Sequence, residues 1–283
     1  MIELILVGND PDLAVRAVDA GINRCLVDLE ILGKSERQHG RGTFIARHSM
    51  EDIERLRAVL PDGTVEVRVD RLNPRSKEQI DRVINAGADI VMLPMVESIQ
   101  EAGVFIDLLG GRVRACLLVE TVAGIDALDA LASIPGVHEF HIGLNDLMIS
   151  SGDDHLFGPL ADRQLEAPAR HIRSRGLGLG IGGITVPGQS NLPVDSDQLI
   201  GELVRLDVTL AWLGRSFRQA VLNADGDVSF CVDAIRESEQ RWRATDPRAL
   251  MVNHELVRDS IRPRRQPPNT LRPTSTPAAT NDQ

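Results

Sequence analysis

The chain alternates between short apolar runs and longer segments in which apolar residues recur every three to four positions. Runs rich in Val, Ile and Leu fall at residues 4–8, 24–30, 65–70, 89–96, 114–120, 139–144, 178–185 and 210–215. Each has the length of a strand and is nearly continuous in apolar character. Between them lie amphipathic stretches such as "DLAVRAVDAGI", "SKEQIDRVINAGA" and "DALDALASIPG", the last two closing at glycine, a frequent helix stop.

Strands that alternate with helices call for a parallel sheet, and strands apolar on both faces must be covered on both. A (β/α)8 TIM barrel meets both conditions. A doubly wound open sheet would place a G-x-G-x-x-G turn after its first strand, where this chain has "VGNDPD". The expected organisation is one α/β barrel domain over residues 1–258, with a helical extension from 223. Residues 259–283, rich in Pro, Thr and Arg, form an expected disordered tail. Two polar segments would lie over the barrel mouth: "GKSERQHGRG", ahead of a helix at 50–60, and "SGDDHLFGPLADRQLEAPA".

Composition narrows the function. The 283 residues are 42% hydrophobic, enough for one large core, and the formal charge of −10 disfavours a nucleic-acid partner. Three cysteines without a CxxC pair argue against a disulfide framework or a zinc knuckle. The opening "MIELILVGND" lacks a basic leader, and no apolar run reaches the roughly 18 residues of a membrane span. A cytoplasmic protein is the default expectation, with no membrane partner.

Chemistry in a barrel sits at the C-terminal ends of the strands. The polar residues at or just beyond those ends are Asp28, Glu30, Arg68, Asp70, Glu120, Asn145, Asp146 and Arg215. "LLVETVAGI" ends an apolar run on Glu120, and "FHIGLNDL" delivers Asp146. Each acid alone could be answering a helix N-terminus. Together they suit Mg²⁺ or Mn²⁺, which take one or two carboxylates and leave positions for water and substrate. Arg68, set among valines, would grip a carboxylate or enolate oxygen, pair with a buried acid, or do both. The glycine-rich "GLGLGIGGIT" permits a phosphate site, though close packing is the stronger reading. His141 reads as a core residue.

The series "VDLE", "VRVDRLN", "ADIVMLPMVES", "LLVETVAGI" and "FHIGLNDL" resembles the strand-end motifs of the HpcH/HpaI aldolase and citrate lyase β-subunit family, over residues 4–222. The resemblance implies a metal-dependent carbon–carbon lyase acting on a 2-oxo acid or an acyl-thioester. Glu120 and Asp146 would hold the metal, and Arg68 the substrate oxygen. The backbone at Gly143, Leu144 and Asn145 would cradle the carboxylate, and Asp28 and Glu30 would hold water or position a base. It further implies a homo-oligomer packed through the C-terminal helices. One departure stands out. The pyruvate aldolases carry His after D-x-E and the citrate-lyase branch an acid, whereas this chain has Ile31. The following loop offers His39 for proton transfer, and Lys34 and Arg37 for a second anionic group. Two other readings stay open: a sugar-phosphate barrel using strands 7 and 8, and a barrel that binds a keto acid without turning it over.

Overall fold

The computed structural model describes residues 1–32, 48–188 and 194–262. In it, eight parallel strands close into a barrel in sequence order. They are β1 (Glu3–Val7), β2 (Arg24–Asp28), β3 (Val65–Arg68), β4 (Ile90–Leu93), β5 (Arg114–Val119), β6 (Glu139–Ile142), β7 (Gly178–Ile184) and β8 (Leu210–Leu213). Each strand stops one to three residues before its apolar run ends. Single hydrogen bonds carry the register further, such as Leu29 N–H to Arg68 O (2.9 Å) and Gly143 N–H to Val119 O (3.0 Å). Burial outlasts the ladder, because Leu29, Val69 and Val96 are still covered beyond it.

The two-residue pleat sorts side chains between the interior and the helices outside. Val27, Val67, Val91 and Leu93 point outward into the large core beneath the helices. Leu26, Met92, Leu118 and Leu210 belong to two small interior clusters, both of which pack against Trp212. The same parity places charges at both ends of the interior. At the closed end Arg24 donates to Glu139 (2.6 and 3.1 Å) and Glu3 (2.6 Å), and stands 3.6 Å from Glu66.

The helices cover the barrel as their amphipathic patterns require. Pro11–Asp19 starts at Asp10, whose side chain accepts the Asp12 and Leu13 amides. The C-terminal extension is two helices, Val228–Arg243 and Pro247–Ile261, so it runs three residues past the boundary read from the sequence. Val232, Ile235 and Val257 are buried against this chain's own barrel layer, and Glu239 accepts the Ile2 amide at 2.7 Å. Among the described residues, no helix is long and apolar enough to cross a membrane.

Burial, reinforced by the nearby Glu139 charge, pushes the Glu66 carboxyl up from 4.5 to about 8 against the pull of Arg24. Glu66 is therefore neutral through most of the physiological range. A carboxyl raised in the folded state favours folding fully below about pH 4.5, and progressively less as pH rises towards 8. Glu66→Gln should remove that dependence. Urea unfolding should show the variant gaining on the parent by about 1 kcal/mol per pH unit between about pH 5 and 8. Parallel stability curves for the two proteins would show that Glu66 is charged when folded.

Candidate active site

At the C-terminal mouth of the barrel lies a cavity of about 380 Å³. Asp28, Arg68, Glu120, Asn145, Asp146 and Arg215 all reach its wall. Asp28 and Arg68 are register partners at the ends of β2 and β3, so the pleat turns both side chains inward together. The result is a paired contact, with Arg68 Nε to Asp28 Oδ1 at 2.8 Å and Nη2 to Oδ2 at 2.7 Å. Glu30, buried behind, is 3.5 Å from Arg68 Nε and is not part of the cavity wall. Burial alone would disfavour the guanidinium charge. The charges of Asp28 and Glu30 outweigh this and hold Arg68 above its ordinary value. The arginine is thus both a structural partner and a cation at the cavity.

Trp212 forms part of the floor. It stacks on His141, with ring centroids 3.9 Å apart and planes 13° from parallel, while the Arg68 guanidinium carbon lies 5.6 Å from the Trp212 ring centre. Burial depresses His141 to about 3, so it is a neutral core residue, as its sequence context indicates. The glycines of β7 make room for this stack. A Cβ at Gly180 would come within 2.1 Å of His141 Nδ1. Side chains of Glu139, His141 and Leu144 likewise fill the space beside Gly178, Gly180 and Gly182, as close packing requires.

Glu120 follows β5 directly, and its Oε1 accepts the Met95 amide at 3.2 Å. Its Oε2 lies over Gly143, where a Cβ would sit 2.6 Å away. Glycine at 143 therefore lets Glu120 lean against the next loop. Gly143 is also the N-cap of the helix Leu144–Ser151. Asp146 lies just beyond β6. It lies in the first turn of that helix, where a negative charge is favourable, and the short Gly143 corner returns it to the cavity. Two carboxylates at adjacent loops, with a glycine-lined recess beside them, fit a hard divalent cation. Among the described residues, one group of three potential ligands is close-set: Glu66, Cys116 and Glu139, at the opposite end of the barrel. Arg24 already occupies that position electrostatically.

Lys34, Arg37 and His39 lie outside the described residues. Ile31, where the family's histidine would fall, is 68% exposed, and its amide is held by Asp70 (2.7 Å). Sequence reasoning missed three cavity residues with polar or aromatic side chains: His48, Trp212 and Arg218. Trp212 shares interior parity with Leu210, which was a readable signal. Arg218 lies one helical turn beyond Arg215 in the helix Arg215–Asn223, a weaker one. His48 follows a long polar stretch of sequence, and its position carried no signal.

The family model for HpcH/HpaI aldolase/citrate lyase matches residues 2–156. The chain belongs to this family. Its matched segment holds β1 to β6 with Asp28, Arg68, Glu120 and Asp146, whereas Trp212, Arg215 and Arg218 lie beyond it. Solved structures share the fold. An HpcH/HpaI aldolase from Desulfitobacterium hafniense is 16% identical with a TM-score of 0.58, covering 80% of this chain and 91% of that one. A family protein from Burkholderia cenocepacia is 19% identical with a TM-score of 0.57, covering 79% and 95%. The protein CitE from Mycobacterium tuberculosis, solved with magnesium, acetoacetate and coenzyme A, is 16% identical with a TM-score of 0.55, covering 86% and 98%. No curated protein matches in sequence.

The stack makes a structural prediction. Gly180→Ala must displace the His141 ring, and overpacking of this kind costs about 1–3 kcal/mol. Denaturant unfolding should show that loss, and the fluorescence of Trp212 should shift with it. An unchanged midpoint and spectrum would mean that the ring is not confined by Gly180.

Proposed function

We propose that this family member is a divalent-metal-dependent carbon–carbon lyase acting on a 2-oxo acid or an acyl-thioester equivalent. The observation that carries the reading is the meeting of Glu120, Asp146 and the Asp28–Arg68 pair at one cavity. Glu120 and Asp146 would hold Mg²⁺ or Mn²⁺, which when bound supplies a positive charge that draws electrons from a keto oxygen. CitE, with magnesium and acetoacetate in its structure, supports this assignment by fold likeness.

The chain's own residues account for the rest. Asp28 occupies Nε and Nη2 of Arg68, which leaves Nη1 to meet the substrate oxygen as negative charge develops there. The first amides of the helix Leu144–Ser151 lack intrahelical acceptors and suit the substrate carboxylate. Asp28 positions Arg68 and does not face the substrate with an unengaged carboxylate. Across the ring of strands, Arg218 lies over Gly8 at the end of β1, and among the described residues it has no hydrogen bond or ion pair. That cation supports an acidic group on the far half of the substrate. Exposed Phe230, Val252 and Leu256 on the C-terminal helices support a homo-oligomer, to be checked by light scattering.

The deciding experiment screens 4-hydroxy-2-oxo acids and malyl- or citramalyl-type thioesters, with metal and with chelator. Metal-dependent cleavage of either class upholds the reading. Saturable keto-acid binding without product would replace it with a binding protein. Calorimetry should show Glu120→Gln and Asp146→Asn each weakening Mn²⁺ binding by more than about tenfold, since carboxylate charge supplies most of the affinity. Unchanged affinity in both variants would remove the metal assignment. Arg68→Lys keeps the charge but loses the fork, so kcat should fall with the fold intact. Retained turnover with lower stability would make Arg68 purely structural. Arg218→Ala should raise KM for dicarboxylic substrates and leave KM for neutral-tailed ones little changed; equal effects on both would discard the second-anion role.

A further inference from the structure

The segment "GDDHLFGPLADR" leaves the helix Leu144–Ser151, which carries Asp146, at Gly152. Its Leu156 lines the main cavity and also an adjoining hollow of about 170 Å³ beside the ends of β7 and β8. Both ends of the segment are held by one side chain from the other end of the described chain. Arg262 directly follows the helix Pro247–Ile261, and its amide still bonds to Arg258 O (2.7 Å). Its Nη2 donates to Asp153 and to Asp162 (3.0 Å), and its Nη1 to Asp154 (2.7 Å). Exposed ion pairs contribute little, and Asp154 is 91% exposed. Asp153 is only 7% exposed, so its contact counts most.

Asp153 passes this restraint on to Leu156. Its Oδ1 accepts the His155 amide (2.9 Å), and His155 Nδ1 accepts the Phe157 amide (3.2 Å), so Leu156 stands between two tethered neighbours. Gly158 leaves room for the contact, since a Cβ there would come within 2.0 Å of Asp153 Oδ2 and 2.5 Å of Arg262 Nη2. Burial disfavours the Asp153 charge, yet the Arg262 guanidinium holds its carboxyl below the ordinary range. Without that guanidinium, three carboxylates would repel one another across the segment. We propose that Arg262 is a positioning residue, which fastens the segment 153–162 so that Leu156 stays in the cavity wall and bounds the substrate beside β7 and β8. Leu156 has no group for the chemistry and acts on the non-reacting part of the substrate. Asp146 lies in the first turn of its helix, beside the Gly143 corner, and Gly152 (φ 71°) separates that helix from the segment. Loosening the segment therefore weakens substrate binding and spares the bond-breaking step. This effect on substrate rests on the lyase reading; the fastening itself does not.

Hydrogen exchange on the full-length protein tests the fastening without any need for activity. Amides of residues 153–162 should exchange roughly fivefold faster or more in Arg262→Ala than in the parent. Arg262→Lys keeps the charge but loses the fork, so it should fall between the two. Equal exchange in the parent and Arg262→Ala overturns the inference. In kinetics on the best substrate, Arg262→Ala should raise KM roughly fivefold with kcat nearly unchanged. Adding Asp154→Asn and Asp162→Asn to Arg262→Ala should recover part of that loss, because fewer charges then repel. A fall in kcat as large as the rise in KM, or no recovery, would make the contact merely structural and overturn the positioning role. Leu156→Ala should raise KM without changing exchange in the segment; an unchanged KM would show that Arg262 does not act through Leu156. A parent that neither binds nor cleaves a keto acid overturns the lyase reading and the effect on substrate with it, while exchange still decides the fastening.

Discussion

Arginine cannot give up its charge inside a protein, so the two arginines on the inner wall of this barrel dictate what surrounds them. Arg24 at the closed end collects Glu3, Glu139 and a neutral Glu66. Arg68 at the open end collects Asp28 and Glu30 and lies beside Trp212. Between them the interior is apolar, apart from the neutral His141 stacked in the middle. The barrel is polarised along its axis. One end pairs its arginine with Glu3 and Glu139, and the other leaves part of its arginine turned towards a cavity.

Much of the fold was legible because barrel strands are buried on both faces and leave continuous apolar runs. The strand ends were less so. Leu29 and Val69 stay buried after pairing stops, and the apolar pattern cannot distinguish a covered loop from a paired strand. Glu120 and Arg68 were readable as charges where a strand runs out. Asp146 was readable as an acid just beyond a strand, and it reaches the cavity from the first turn of a helix. His48, Arg218 and the closed-end cluster were not found. Each depends on which residues from distant segments meet, and no local periodicity records that. The buried Glu66 and Glu139 were visible as acids inside apolar runs, but only pairing with Arg24 explains them.

The family match and the geometry divide the site along the same line. The half built from β2, β3, β5 and β6 lies within the matched segment and gathers the acids and Arg68. The half built from β8 and the helix after it lies outside, and contributes Trp212, Arg215 and Arg218. In a barrel the strands are rigid and the loops at their ends vary, so chemistry held on one side can be kept while the other side changes.

The bond from Ile2 to Glu239 has a consequence for how the chain is made. The first strand is also the edge that the eighth must find, and its leading amide is answered only by a helix more than two hundred residues later. During synthesis β1 leaves the ribosome long before either partner exists. Residues 3–7 must then wait with an unpaired edge and an exposed apolar face, which is when a chain is most open to aggregation or chaperone capture. Closure is a late and cooperative event, and the C-terminal helices act as its fastener.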